Sequence, residues 1–316
     1  MITSAPGKIV LWGEYAVLAG APAAVMALDL RARVDLVLKD DFSSFSANGY
    51  QAAGLQTARK DFPHLPVTRM VEAILHHLGY TQLPSHLYCH TDTTPFFRNG
   101  KKMGLGSSAA LCVALYSALC SQLSHTPRVT DALLIHQSWQ GSGSGLDIAA
   151  SWHGGVIRFS AGVSAHIGWP DDLHHQIIFT GAASNTAAQL SNFSEWLESE
   201  PKNPHLDALC RESEKLFTTN LDEAALSAYV TALRALDRAG SLNIFTQAHE
   251  TLATMGTDLG IVYKPCGAGG GDVGIALSRN SETLETFANR ATQAGFIPLK
   301  TEIAKHGIQA RDNREQ

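Results

Sequence analysis

Residues 102–120, KMGLGSSAALCVALYSALC, constrain the fold most, because glycines and serines lead straight into a long apolar run. From Ser107 to Leu123 the apolar side chains go round the whole helical period, which predicts a helix buried on every side. Such a helix needs protein packed all round it. The chain's 316 residues exceed the usual single-domain size and predict two domains sharing a cleft. A 45% apolar and 17% charged composition is that of an ordinary globular protein with a sizeable core.

The same run is too short to span a bilayer, which takes about eighteen residues or more, and Tyr116 and Ser117 interrupt it. The opening MITSAPGKIVLWGEYAVLAG lacks the cationic start and cleavable apolar core of a signal peptide. Cys89, Cys112, Cys120, Cys210 and Cys266 are odd in number and form no CxxC pair. That argues for reduced thiols and a cytoplasmic protein, against a disulfide frame and against a zinc site. The net charge of −5 offers no general attraction for nucleic acid. No HExxH spacing occurs among the fourteen histidines, and the pairs His86/His90 and His174/His175 read as surface residues.

Strands and helices are interspersed along the chain. Lys8 stands where a strand is expected to begin, and Glu14 reads as an edge-strand acid. ALDLRARVDLVLKD alternates with the period of a half-buried strand, and LPSHLYCHTD reads as another. Helices are expected over 67–80, ending at Gly79, and over 130–140 with Thr130 as N-cap. Glycine, proline and acidic residues at 160–172 mark a boundary, which divides the chain into residues 1–165 and 166–316. Beyond it HQIIFTG is a strand, and helices are expected over 184–197, 205–218, 221–239 and 244–259. A strand–glycine loop–strand unit follows at 260–278, then a helix capped by Ser281. The tail QARDNREQ is expected to fray. The pattern as a whole is mixed α/β or α+β.

Three glycine-rich segments stand out. In GLGSSAA, Gly104 and Gly106 permit a tight turn and close approach to a ligand. The N–H groups that open the following helix would then point at the loop, where phosphate is a natural guest. The alternative is a serine-capped helix after a plain turn. Neither the P-loop pattern nor GxGxxG fits. GAGGGDVG (267–274) places four glycines in five positions, more than a hairpin turn uses. GSGSGLDIAAS (141–151) sets Asp147 near a helix start, as a capping acid or as a site carboxylate.

Together and in order, PGKIVLWGEYAV, GLGSSAA, GSGxDxAxSxxGG and GAGGGD resemble the GHMP kinase superfamily of galactokinase, homoserine kinase, mevalonate kinase and phosphomevalonate kinase. The likeness runs from about residue 4 to residue 278. Within the superfamily KMGLGSSAA, His136 to Asp147, TGAASNTAAQL and KPCGAGGGD are most similar to the phosphomevalonate kinases. Two departures stand out. Mevalonate kinases carry a metal-binding glutamate where this chain has His136, and Cys266 replaces a serine.

The resemblance implies an α+β, two-domain GHMP kinase fold. Its N-terminal α/β domain carries the ATP loop, its C-terminal domain is ferredoxin-like, and ATP and acceptor meet between them. It implies ATP bound by Gly104, Leu105, Gly106, Ser107, Ser108 and Ala109, with Mg²⁺ near Ser107 or Ser108. Lys8 would reach the transferred phosphoryl group and Asp147 would be the catalytic aspartate. Substrate contacts fall to Lys101, Lys102, His136, Ser144, Gly145, Ser184, Gly267, Ala268, Gly269 and Gly270. Arg98, Lys264 and Thr186 are further candidates, and no more than two or three of the cationic side chains are expected to touch substrate. The implied reaction is phosphorylation of 5-phosphomevalonate; mevalonate or a related hydroxy acid is the alternative acceptor. The implied partner is a small molecule, with no nucleic acid and no membrane.

Overall fold

The computed structural model describes residues 1–49, 53–57, 66–141 and 143–311. Its first sheet has eight strands. β1 (Ile2–Trp12) pairs antiparallel with β2 (Ala23–Lys39), and β3 (Ser43–Asn48) pairs with β4 (Ala53–Thr57). After α1 (Pro66–His77) comes β5 (His86–Asp92), which lies between β2 and β3 and is parallel to β3. β1 begins well before Lys8. Pro6 interrupts the local strand signal because it lacks an N–H, and the ladder absorbs it with a register shift between Pro6 and Gly7.

A small hairpin follows, β6 (Phe97–Arg98) and β7 (Lys101–Lys102). Asn99 and Gly100 both have positive φ, 51° and 73°, which suits a two-residue turn between twisted strands. α2 (Ser107–Gln122) is the expected buried helix, and every residue from Ala109 to Cys120 is inaccessible or nearly so. It lies against β1, β2 and α4. α3 (Val129–Gln140) starts ahead of Thr130, with Arg128 in the N-cap position, so Thr130 lies inside the helix rather than capping it. α4 (Leu146–His153) leads into β8 (Val156–Ser160) and β9 (Val163–His166). β9 occupies part of the segment read as a boundary, and its pairing with β8 keeps it in the first sheet.

β10 (His174–Phe179) opens the second sheet, followed by α5 (Thr186–Ser199), α6 (Pro204–Lys215), α7 (Glu223–Gly240) and α8 (Gln247–Thr257). β11 (Val262–Pro265), β12 (Val273–Ser278), α9 (Ser281–Gln293) and β13 (Ile297–Leu299) complete it. The strand order is β11-β12-β10-β13, all antiparallel, with the β-α-β-β-α-β connection of ferredoxin-like folds. Asn280 caps α9, its side-chain oxygen accepting from the N–H groups of Glu282 and Thr283, so Ser281 is the first helical residue and not the cap. The chain then returns to the first sheet. Part of the tail expected to fray is a strand, β14 (Gln309–Arg311), zipped onto β1; residues 312–316 of that tail lie outside the described residues. The molecule is thus a mixed α+β protein, and its two sheets are tied together where Lys264 of β11 pairs with Glu14 after β1 and Tyr229 of α7 bonds to Gly13 and Glu14.

Candidate active site

α2 starts at an unusual point. Gly106 occupies its N-cap with φ 77° and offers no side chain to cap with, and neither serine takes over that job. The first bond joining the helix to its cap runs from the Ala110 N–H to the Gly106 carbonyl, leaving the N–H groups of Ser107, Ser108 and Ala109 outside the helical ladder. The serine-capped turn is therefore not what the chain builds. α4 repeats the device with Gly145 at its N-cap, φ 86°, so Asp147 is not a cap either. α5 begins at Thr186, where Asn185 Oδ1 accepts from the Ala188 N–H.

These three helix starts converge on one cavity of about 360 Å³. Gly104, Gly106 and Ser108 border it from α2, Ser144 to Asp147 from α4, and Ala183, Ser184 and Thr186 from α5. Gly267 and Ala268 of the second glycine loop form another wall. Helix N-termini and glycine-loop amides carry partial positive charge, so the cavity has the main-chain chemistry of an anion cradle.

Lys8, in the middle of β1, is 8% exposed. Its Nζ lies 3.2 Å from Asp147 Oδ1, while its own N–H donates to the Leu105 carbonyl at 2.9 Å. A β-carbon at Gly106 would come within 2.9 Å of Lys8 Cγ, so that glycine makes room for the lysine stem. Lys102 and His136 also line the cavity. Burial lowers the pKa of Lys102, opposed first by Asp272 and then by Asp147. His136 Nε2 is 3.4 Å from Ser108 Oγ. Burial pushes its pKa below the ordinary histidine value, with Asp147 working the other way, so the ring is neutral at pH 7.

The remaining candidates divide. Leu105, Ser107 and Ala109 are sealed beneath the loop, and the Ser107 hydroxyl, wholly buried, has no partner. Gly269 and Gly270 are not among the residues that border the cavity, and a β-carbon would strike Ile244 at the first and Gln189 at the second. Lys101 is exposed and donates to the Gly181 carbonyl at 2.7 Å. Arg98 is exposed on the same hairpin and does not border the cavity. Lys264 is buried in an ion pair with Glu14. Burial opposes its charge, but Cys266 and Glu14 together raise its pKa above the ordinary value.

Sequence reasoning missed several residues. Glu14 is no edge-strand acid, being 4% exposed, paired with Lys264 and accepting from the Tyr229 hydroxyl at 2.5 Å. The Tyr15 hydroxyl donates to the Ala268 carbonyl at 2.6 Å and so joins the end of β1 to the second glycine loop. Asp272 borders the cavity and packs on Gly104. Its one sequence signal was its place directly after the glycine run. Trp139, Gln137 and Gln140 supply a further wall from α3. Ser142, inside the third glycine motif, lies outside the described residues.

Among the described residues no group of three or more His, Cys, Asp or Glu side chains is placed to hold a metal. Also among the described residues, no helix is long and apolar enough to cross a membrane.

Comparison with known proteins agrees with this geometry. Residues 66–155 match the model of the GHMP kinases N terminal domain. The chain is 28% identical to a phosphomevalonate kinase from Streptomyces sp. (strain CL190), covering 98% of each. It is 23% identical to a mevalonate kinase from Pyrococcus abyssi, covering 100% of this chain and 99% of the other. Among solved structures, Streptococcus pneumoniae phosphomevalonate kinase in complex with phosphomevalonate and AMPPNP superposes with a TM-score of 0.73 at 19% identity, covering 96% and 99%. With its two sheets and its glycine-opened helix, the chain carries a GHMP kinase N-terminal domain over residues 66–155 and is similar over its whole length to phosphomevalonate and mevalonate kinases.

Proposed function

We propose that the protein transfers the γ-phosphoryl group of ATP to the phosphate of 5-phosphomevalonate. One observation carries this reading: the Lys8–Asp147 pair stands in the same cavity as the uncapped start of α2 and the 267–268 wall. The uncapped amides and Ser108 would hold the ATP phosphates. Lys8 would stabilise charge on the oxygens of the transferred group. Mg²⁺, when bound, neutralises the β- and γ-phosphate oxygens. Ser108 borders the cavity and would be the serine that meets such a group, while the unpartnered Ser107 hydroxyl lies sealed beneath the loop beside it.

The acceptor's chemistry explains the carboxylate. A phosphomonoester has a second pKa of about 6 and is largely dianionic at neutral pH. Its oxygen forms the new P–O bond as the bond to ADP breaks, the electron pair leaves on ADP, and no proton has to move. Asp147 therefore orients Lys8 rather than acting as a base. An alcohol acceptor would need a base to take its proton. Support for the phosphorylated acceptor comes from the helix starts that converge on the cavity, the neutral His136 in place of a glutamate, and the likeness to phosphomevalonate kinases.

The test is an ADP-release assay with mevalonate and 5-phosphomevalonate side by side, using Lys8→Met as the control. Turnover with 5-phosphomevalonate, reduced about a hundred- to a thousandfold in the control, is expected. Turnover with mevalonate alone would replace the acceptor, and ATP binding without turnover on either would replace the kinase reading.

A further inference from the structure

Three carboxylates and two lysines border the cleft; Glu14 is paired with Lys264 and Asp147 with Lys8. The other carboxylate belongs to Asp272, whose backbone is in the left-handed region at φ 54°. Gly267, Gly269, Gly270 and Gly271 precede it, also with positive φ. A further glycine would adopt that conformation without strain, whereas a residue with a β-carbon pays for it. The side chain is thus held there against a local cost.

It is also firmly placed. Asp272 Oδ1 accepts from the Ser184 N–H at 2.9 Å. Its main-chain N–H donates to the Ala182 carbonyl, and its carbonyl accepts from the Thr180 N–H. Its carboxyl group presses on Gly104, where any β-carbon would collide with it. Two residues before Gly104 stands Lys102, on β7 of the hairpin, half-buried and bordering the same cavity. The other charged or titratable groups acting there are Lys8 from β1, Asp147 from α4 and His136 from α3. Burial is the main influence opposing a charge on Lys102, and Lys8 adds to it.

We propose that Asp272 is a positioning residue that keeps the ammonium group of Lys102 charged and in the cleft beside Lys8, so that two cations meet the same phosphate groups. The proposal rests on the phosphotransferase reading. Burial depresses the pKa of Lys102, and Asp272 is the largest influence restoring it, ahead of Asp147. Without Asp272 the lysine would shed its proton at a lower pH than in the native protein. Asp272 in turn has its own carboxyl raised by burial and lowered by the Ser184 N–H, Lys8 and Lys102, so the two groups support each other's charge.

Asp272→Asn tests this, because an amide oxygen still accepts from the Ser184 N–H while the charge is gone. In the variant the alkaline limb of the kcat/KM profile is expected to move toward acid by about one pH unit. Above that limb the rate should fall about tenfold per pH unit, from a shift in protonation of the same size. Adding Lys102→Arg should remove the shift, because a guanidinium does not titrate in this range. An alkaline limb unchanged in Asp272→Asn, or a uniform loss at every pH, would overturn the proposal. Lys102→Arg alone covers the case in which the first variant does not fold: a wild-type alkaline limb in that protein would overturn it as well. If the wild type transfers phosphate to neither acceptor, the phosphotransferase reading fails by itself. ¹⁵N NMR titration of the lysine side chains, with Lys102 assigned by its loss in Lys102→Arg, then decides the proposal. A Lys102 pKa that is no lower in Asp272→Asn than in the wild type would overturn it.

Discussion

Two lysine–carboxylate pairs sit at the same end of the molecule, a few residues apart on β1 and the turn after it, and they differ in what covers them. Lys8 pairs with Asp147 across the cavity, and the aspartate side chain is 35% exposed. Glu14 pairs with Lys264 with both side chains sealed, and Tyr229 and Cys266 close the remaining space. The first pair can exchange partners with an incoming anion, because it borders an open cavity that solvent reaches. The second cannot, and a buried charge left without its partner is costly. Identical chemical groups thus line an open cavity in one place and join β1 to β11 in the other. Access to solvent decides which.

The largest expected effect breaks the sealed pair. Glu14→Gln should cost about 3–5 kcal/mol of folding stability in urea unfolding, because the Lys264 charge loses its partner. Lys8→Met should leave stability within about 1 kcal/mol, as expected of a partly exposed ion pair. Its kcat should nonetheless fall about a hundred- to a thousandfold. Equal stability losses in the two variants would erase the distinction.

A smaller effect concerns the support behind the second glycine loop. His249 is buried, one ring nitrogen 2.9 Å from the Gly271 carbonyl and the other 2.9 Å from the Tyr263 hydroxyl. Burial lowers its pKa from 6.5 to about 4. The unfolded chain therefore binds the proton more readily between those two values, and stability is lost as pH falls through that window. Between pH 7 and pH 5 the loss should be about 2 kcal/mol. His249→Gln should flatten this dependence, which urea unfolding at the two pH values would measure; an equally steep dependence in the variant would mean another group titrates.

The smallest effect separates two glycines of similar φ. Gly106→Ala, at φ 77°, also strikes Lys8, whereas Gly267→Ala, at φ 71°, meets open space. Both should lose about 1–2 kcal/mol from the left-handed backbone, measurable by thermal unfolding. Only Gly106→Ala should also lower kcat, and equal kinetic losses would show that the contact with Lys8 is immaterial.

Much of this site was legible in local pattern. The apolar circumference of Ser107 to Leu123 announced a buried helix, because periodicity is a property of a few adjacent residues, whereas the glycines before it left a serine cap and an anion cradle both open. Legibility failed where an element depended on a distant one. Glu14 looks like a surface acid until β11 brings Lys264 to it. Gly269 and Gly270 look like ligand-facing glycines until Ile244 and Gln189 are found packed against them. Lys101 and Lys102 look alike in sequence, yet the hairpin directs one to the Gly181 carbonyl and the other to the cavity.

By itself the sequence determined most of the helices, several of the strands and the order of the glycine-rich segments. Periodicity and backbone freedom are local, so a single chain reports them directly. The tertiary structure alone decided that Lys8 meets Asp147, that Glu14 is spent on Lys264, and that Asp272 lies against Gly104. Charge pairing and burial depend on which distant segments pack together, and no spacing along the chain records that.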